Sequence, residues 1–297
     1  MGEFNLSRRI MNVVSPALMV LSMLLTIRAG AQTIPAKLIV RGDDMGSSHT
    51  ANQAIIKAFK EGIVTSAEVM VNAPWFPEAV KLLKQKPGLD VGVHLTLTSE
   101  WENIKWRPLT PCRSLVDSNG YFFPMRSANE NYPNQSLDEI NWKLNDIENE
   151  FRAQIELAQR NIPQLSHVSA HMGCTELSEE VRNITKQLAK YYHIDIEPDE
   201  FQVISLGYGG PSNTFDEKKS GFIRMLETLE SGKSYLFVDH PGFDNVELQA
   251  MFHIGYESVA FDRQGVTDVF TDKDVIKIIK ESNIQLIGYN GLKSVGE

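Results

Sequence analysis

Seven short apolar runs alternate with helical patterns along this chain, and that alternation restricts its fold more than any other feature. The runs cover residues 38–40, 67–71, 91–97, 165–170, 194–196, 235–238 and 284–287. Short runs with several β-branched residues suit parallel strands buried on both faces. Between them, residues 52–61 carry Ile55, Ile56 and Phe59 and stop at Gly62. Pro77 stands where a first helical residue tolerates it, ahead of Ala79, Val80 and Leu83. Ser136 and Glu139 have capping-box spacing and predict the start of a helix through Ile140, Leu144, Ile147, Phe151 and Ile155. Further helices are expected around Val181, Ile184, Leu188 and Tyr191, and around Phe222, Met225, Leu226 and Leu229. A last one, capped by Thr271, carries Val275, Ile278 and Ile279. There is no internal repeat, low-complexity tract or dividing linker. The pattern therefore predicts one α/β domain with a parallel sheet, either open and doubly wound or a barrel. Residues 99–135 are too long for a simple connection and read as an elaborated functional loop.

Composition narrows the chemistry. Lys plus Arg is 29 against 38 Asp plus Glu, a net charge of −9 with no basic block, so no nucleic-acid partner is expected. Cys112 and Cys174 are too few for a disulfide scaffold or a four-cysteine zinc module, and whether they pair is open. No G-x-G-x-x-G follows the first run, and neither G-x-x-x-x-G-K-[ST] nor G-x-S-x-G occurs, which removes the main support for nucleotide binding and serine hydrolysis. At the N-terminus, Arg8 and Arg9 precede an apolar run over 10–27 and then Ala29-Gly30-Ala31. This is the layout of a cleaved secretory signal over 1–31, ahead of a mature domain over 32–297. Asn12, Ser15, Pro16 and Ser22 make the run a weak permanent span. The expectation is an exported protein, periplasmic or secreted, with no permanent membrane span once the signal is cleaved.

Polar residues fall at telling places relative to the strands. Asp43 and Asp44 lie just beyond the first run, His94 within the third, and His171 just after the fourth. Asp239 and His240 end the sixth, before Pro241-Gly242. In parallel α/β folds the C-terminal ends of the strands converge on the active site. Two imidazoles and a carboxylate suit Zn²⁺, Mn²⁺, Co²⁺, Ni²⁺ or Fe²⁺ with positions left for water and substrate. Each residue also has a plainer reading. A lone Asp caps a turn, His94 is a packed core histidine, His167 and His171 are loop residues, and His240 belongs to a turn. Taken together these leave the shared strand-end placement unexplained. His49, His193 and His253 lack that placement and are expected to be surface or structural. Trp75, Trp101 and Trp106 lie in loops beside strand ends, where they stack on a sugar ring or pack the loop. Arg107 binds a polar substrate group or pairs with an acid.

The segment Val40-Arg41-Gly42-Asp43-Asp44-Met45-Gly46 resembles the N-A-D-D-F-G signature of the YdjC-like carbohydrate deacetylases, a family that includes chito-oligosaccharide deacetylases. The resemblance continues through Asn52-Gln53-Ala54-Ile55, Gly62-Ile63-Val64-Thr65-Ser66 and Val91-Gly92-Val93-His94-Leu95-Thr96-Leu97-Thr98. It resumes at Ser166-His167-Val168-Ser169-Ala170-His171-Met172-Gly173, at His240-Pro241-Gly242-Phe243, and over 263–289. It implies a (β/α) barrel-like fold with about seven parallel strands and one divalent metal ion, Zn²⁺ or Mg²⁺ foremost. By resemblance, Asp44, His94 and His171 are metal ligands, Asp43 the general base and His240 the acid. Arg41-Gly42 stands in place of Asn-Ala, and Met45 in place of Phe. Many relatives carry His-x-Asp-Ser-His where this chain has His167-Val168-Ser169-Ala170-His171, so a carboxylate that could orient a ligand is missing at Ser169.

The expected activity is metal-dependent hydrolysis of an acetamide on an N-acetylated mono- or oligosaccharide, with Arg107, Trp101 and Trp106 as candidate substrate contacts. A homo-oligomer is left open. Two other readings compete. One is an exported carbohydrate-binding protein with decayed catalysis, for which Ser169 is the best support. The other is a non-haem iron oxygenase, whose usual local H-x-[DE] element is absent.

Overall fold

In the computed structural model, which describes Met1 and residues 34–293, one long strand organises the sheet. Strand β1 (Ala36–Met45) pairs with β6 (Ser234–Asp239) along one side. Its other side is shared: β7 (Ile284–Leu286) pairs with its first residues and β2 (Ser66–Val69) with its last. Outward from β2 lie β3 (Asp90–Leu95) and then β4 (Leu165–Ala170); outward from β6 lies β5 (Ile204–Leu206). Every pairing is parallel, and the sheet curls into a half-barrel rather than lying open and flat. The (β/α) barrel-like expectation holds. All six residues of β3 are buried, as befits a strand covered on both faces.

The helices are α1 (His49–Glu61), α2 (Phe76–Lys84), α3 (Leu144–Asn161), α4 (Glu179–Tyr191) and α5 (Phe215–Leu226). They continue with the single turn α6 (Val246–Gln249), then α7 (Val259–Phe270), α8 (Lys273–Glu281) and the short α9 (Asn290–Lys293). Side-chain caps open most of the longer ones: Ser48 accepts from the Ala51 amide, Ser178 from Val181, and Thr214 with Glu217 closes a full capping box. Helix α3 does more than cover the sheet. Its buried Gln154 bonds both the amide (2.9 Å) and the carbonyl (2.8 Å) of Thr96. Its buried Glu150 accepts from the amides of Leu109 and Thr110, each at 3.0 Å. The irregular stretch after β3 is thereby anchored at both ends of the segment that reaches the site.

Several local expectations need correction. Residues 194–196 form no strand: Ile194 and Ile196 pack into the core from irregular backbone, and the edge strand is Ile204–Leu206, two of whose three residues are exposed. Burial without alternation had suggested the wrong segment. Ser136 and Glu139 close only a turn, and the helix starts at Leu144. Its first turn is capped from elsewhere, because Ser114 Oγ accepts from the Lys143 amide and donates to Asp146. The last long helix is capped by Asp272, while Thr271 ends α7, a helix the periodicity did not reveal. Cys112 and Cys174 are both buried and unpaired. The signal expected over 1–31 lies outside the described residues, apart from Met1. Among the described residues no helix is long and apolar enough to cross a membrane.

The α1–β2 corner depends on a close backbone approach. A Cβ on Gly62 would stand 2.0 Å from the Phe270 carbonyl oxygen and 2.8 Å from that of Ala58. Gly62→Ala should therefore cost about 1–3 kcal/mol through forced backbone displacement. Gly88→Ala, whose Cβ would meet only Phe59 at 3.9 Å, serves as the control. Thermal unfolding should separate the two by several degrees; equal midpoints would show that the Gly62 corner yields freely.

Candidate active site

Strand β1 delivers two adjacent carboxylates to one place, which a regular strand cannot do because neighbouring side chains point to opposite faces. Asp44 adopts φ 66°, in the left-handed region that Asp tolerates better than most residues. The β1–β2 register slips between Gly42 and Met45. This bulge turns both acids toward His94 of β3, whose Nε2 lies 3.8 Å from Asp43 Oδ2 and 3.5 Å from Asp44 Oδ1. The turn that follows is held by Asn52 of α1, whose Oδ1 accepts from the Gly46 amide at 2.6 Å.

The other groups arrive from the ends of β4 and β6. His171 sits just past β4, before Met172 and Gly173 in left-handed conformations. Its Nδ1 lies 3.1 Å from Asp44 Oδ1 and its Nε2 3.0 Å from Glu100 Oε2. One donor atom each from Asp44, His94 and His171 can be chosen so that all three lie within 4.8 Å of one another. At the end of β6, His240 Nε2 lies 4.0 Å from Asp44 Oδ2, and its Nδ1 lies 3.6 Å from Asp239 Oδ1. Asp239 is itself held by Tyr208 Oη, which donates at 2.7 Å.

Two guanidiniums offset the acids. Arg41 donates from Nε and Nη2 to the two oxygens of Asp43, at 2.8 and 2.9 Å. Arg263 of α7 donates from Nη2 to Asp44 Oδ2 at 2.8 Å, and its Nε and Nη1 find no hydrogen-bond partner among the described residues. Asp43, Asp44, Glu68 and Glu100 are four buried carboxylates in this cluster, faced by the partly buried Arg41 and the buried Arg263. The donor types of Asp44, His94 and His171 fit a divalent ion.

The protonation states follow from burial and neighbours. Burial pushes the His94 imidazole down to about 4, against the pull of Asp43 and Asp44, so it is neutral near pH 7. Burial acts the same way on His171, but Glu100 and Asp44 on either side outweigh it and raise it to about 10. For Asp44, burial works against the charge while Arg263 and His171 hold the carboxyl well below its usual range. Partial burial opposes charge on His240, yet Asp44 and Asp239 raise its pKa. Neighbouring imidazoles are thus pushed in opposite directions, a pattern common at functional sites.

These residues line a cavity of about 390 Å³, together with Trp101, Ala170, Met172, Gly173, His253, Tyr256 and Arg263. A second cavity of about 490 Å³, lined by Tyr208, Asn213, Lys218 and Phe261 among others, shares His240 and Tyr256 with the first. Trp101 lies in the wall, with Arg263 5.2 Å from its ring and His253 stacked at 5.8 Å. Trp106 is buried behind His171, edge-on at 6.2 Å, with its indole N–H given to the Thr98 carbonyl. Arg107 is exposed and turned away: it lies over Tyr121 and donates to the Asn119 carbonyl. His253, expected to be surface or structural, lines the cavity. Glu100, Arg263 and Tyr256 were not anticipated. Glu100 sits in the long loop and Arg263 in the unforeseen helix α7, so no strand-end rule points to either.

A (β/α) barrel-like half-barrel of parallel strands gathers an Asp-His-His cluster and two flanking carboxylates near its C-terminal ends, a donor set that could hold a metal ion. The model of the YdjC-like protein family matches residues 37–281, and the chain belongs to that family. A carbohydrate deacetylase of Clostridium beijerinckii is 30% identical over 269 residues, covering 86% of this chain and all of that protein. One from Thermoanaerobacter pseudethanolicus is 28% identical over 268 residues, covering 86% and 99%. The crystal structure of an Enterococcus faecalis V583 protein, described as a candidate cellobiose-phosphate cleavage protein, shares the fold. It superposes with a TM-score of 0.69 at 24% identity, covering 87% of this chain and 99% of that one. The relatives also correct the expectation of export. They are matched over 99–100% of their own length by 86% of this chain, with the family match beginning at residue 37. They leave no room for a counterpart of the leader read over 1–31, and an exported location is not retained.

The raised pKa of His171 has a measurable consequence. A folded-state value near 10 against 6.5 unfolded means stability that is complete below pH 6.5 and lost as pH rises toward 10. In metal-free protein the unfolding midpoint should fall over that window, and His171→Gln should flatten the decline. Parallel profiles for the two proteins would show that His171 carries no extra proton.

Proposed function

We propose that the protein removes the acetyl group from an N-acetylated sugar in this cavity, with one divalent metal ion held by Asp44, His94 and His171. The observation that carries this is the convergence of those three side chains, buried and within 4.8 Å, between a second carboxylate and a half-exposed histidine. The names of the relatives supply the reaction class: carbohydrate deacetylase. A divalent ion bound there would polarise the acyl carbonyl and lower the pKa of a water.

The protein's own groups divide the proton transfers. Asp43 borders the cluster without being needed as a ligand, and its bidentate grip by Arg41 fixes the carboxylate in one orientation. It takes the proton of the attacking water as general base. His240 approaches Oδ2 of Asp44, the oxygen not facing His94 and His171, with Asp239 beside it, and its raised pKa keeps a proton available. It gives that proton to the departing sugar amine, which is otherwise a poor leaving group. Trp101 and Tyr256 offer aromatic walls to a sugar ring, and the neighbouring cavity beyond His240 offers room for a further unit. The reading as a sugar binder with decayed catalysis leans on Ser169. That support weakens because Ser169 is bonded to a buried carboxylate, Glu68.

Acetate release from N-acetylated mono- and oligosaccharides, with Zn²⁺, Mg²⁺, Mn²⁺ or Co²⁺ added back, tests the activity. Asp43→Asn should keep its metal content and lose about 10²–10⁴-fold in turnover. His240→Ala should also keep metal, with a smaller defect on activated anilides. Tight sugar binding without acetate release under any of these metals would favour the decayed binder instead. Loss of metal in His240→Ala would make His240 a ligand.

A further inference from the structure

Behind His94 lies a buried polar network that the reaction does not consume. Residues 68, 92, 94, 167 and 169 sit on three neighbouring strands: Glu68 on β2, Gly92 and His94 on β3, His167 and Ser169 on β4. Gly92 pairs in register with Glu68 on one side and His167 on the other, and His94 with Ser169. The Glu68 side chain reaches across β3 at the point where Gly92 has no side chain. A Cβ there would stand 2.1 Å from Glu68 Oε2 and 2.5 Å from His167 Nε2. Having crossed, Glu68 accepts from Ser169 Oγ at 2.5 Å through Oε2. Its Oε1 bonds His167 Nε2 at 2.8 Å and accepts from Ser66 Oγ at 3.0 Å. Ser169 Oγ also lies 2.8 Å from His94 Nδ1. All of these groups are buried.

Counting hydrogens settles the direction of the chain. An ionised carboxylate accepts only, and a serine hydroxyl has one hydrogen to give. Burial alone would raise the Glu68 carboxyl, but His167, Arg41 and Ser169 hold it below its ordinary range, so it is ionised. The Ser169 hydrogen therefore goes to Glu68. The Ser169 oxygen must then accept from His94 Nδ1–H, which leaves the lone pair of His94 on Nε2, the nitrogen facing Asp43 and Asp44.

We infer that Glu68 is a positioning residue for His94: acting through Ser169 Oγ across Gly92, it fixes the Nδ1–H tautomer and keeps Nε2 free to bind a cation. A carboxylate one hydroxyl removed thus does what an acid at position 169 would do directly. The inference rests on the metal-site reading above for its functional meaning, but the tautomer is a property of the metal-free protein.

Nitrogen-15 NMR of histidine-labelled, metal-free protein reads the tautomer, with His94→Gln identifying the resonance. The account requires Nδ1 protonated and Nε2 bare; the opposite assignment overturns it without any variant of the relay. Zn²⁺ affinity by chelator competition gives the second readout. Glu68→Gln and Ser169→Ala should each weaken binding by about 10–100-fold, the usual effect of removing a group that orients a ligand. Because both act along one chain, the double variant should be no weaker than the worse single one. Placing the acid directly, as Ser169→Asp in the Glu68→Gln background, should recover most of the lost affinity. Unchanged affinity in folded Glu68→Gln, or losses that multiply in the double variant, would overturn the relay. An unsubstituted protein that binds no Zn²⁺ would instead remove the metal reading, and the tautomer measurement would still decide the relay.

Discussion

Two adjacent carboxylates, Asp43 and Asp44, are buried at the end of the central strand, and their charge has to be compensated where they stand. Removing an ion from water costs on the order of several kcal/mol even after relaxation, and a second like charge beside it adds to the penalty. Much of the surrounding construction answers that demand. Arg41 takes Asp43 with two hydrogen bonds, and Arg263 reaches from α7 to Asp44. His171 sits between Asp44 and Glu100 and carries a proton that a metal ion can replace. His94, by contrast, is left neutral by burial. The donor set that compensates these acids with a removable proton on His171 is one that could hold a divalent cation.

The backbone features that matter are those that let acids and imidazoles meet. The left-handed Asp44 breaks strand alternation so that both carboxylates face one way. Gly92 leaves a gap over β3 through which Glu68 reaches β4. Helix α3 holds the segment after β3 at Thr96, Leu109 and Thr110, which carries Glu100 and Trp101 into the wall. Stability and function are joined at these points, because each also satisfies polar groups that would otherwise be buried without partners.

The strand-end acids and histidines were legible because parallel strands bring their C-terminal ends together whatever the loops do. That rule predicts the neighbourhood of Asp43, Asp44, His94, His171 and His240 from spacing alone. It has no purchase on Glu68, which lies inside a short apolar run and gains its role only from the register of three strands. It misses Arg263 and His253 for a related reason: both come from segments without a strand end. Aromatic content in a loop did not separate Trp101, which lines the cavity, from Trp106, which packs behind His171. The strand at 204–206 was overlooked because an exposed edge lacks the apolar run that marks buried strands.

The central claim is that the compensating charge is a single metal ion among Asp44, His94 and His171. Crystals of the protein grown with Zn²⁺, measured on both sides of the zinc absorption edge, test it directly. The account predicts one anomalous peak per chain bounded by these three side chains, with His94 approaching through Nε2. A peak elsewhere with this cluster still closed by its own hydrogen bonds, or His94 turned to present Nδ1, would contradict it.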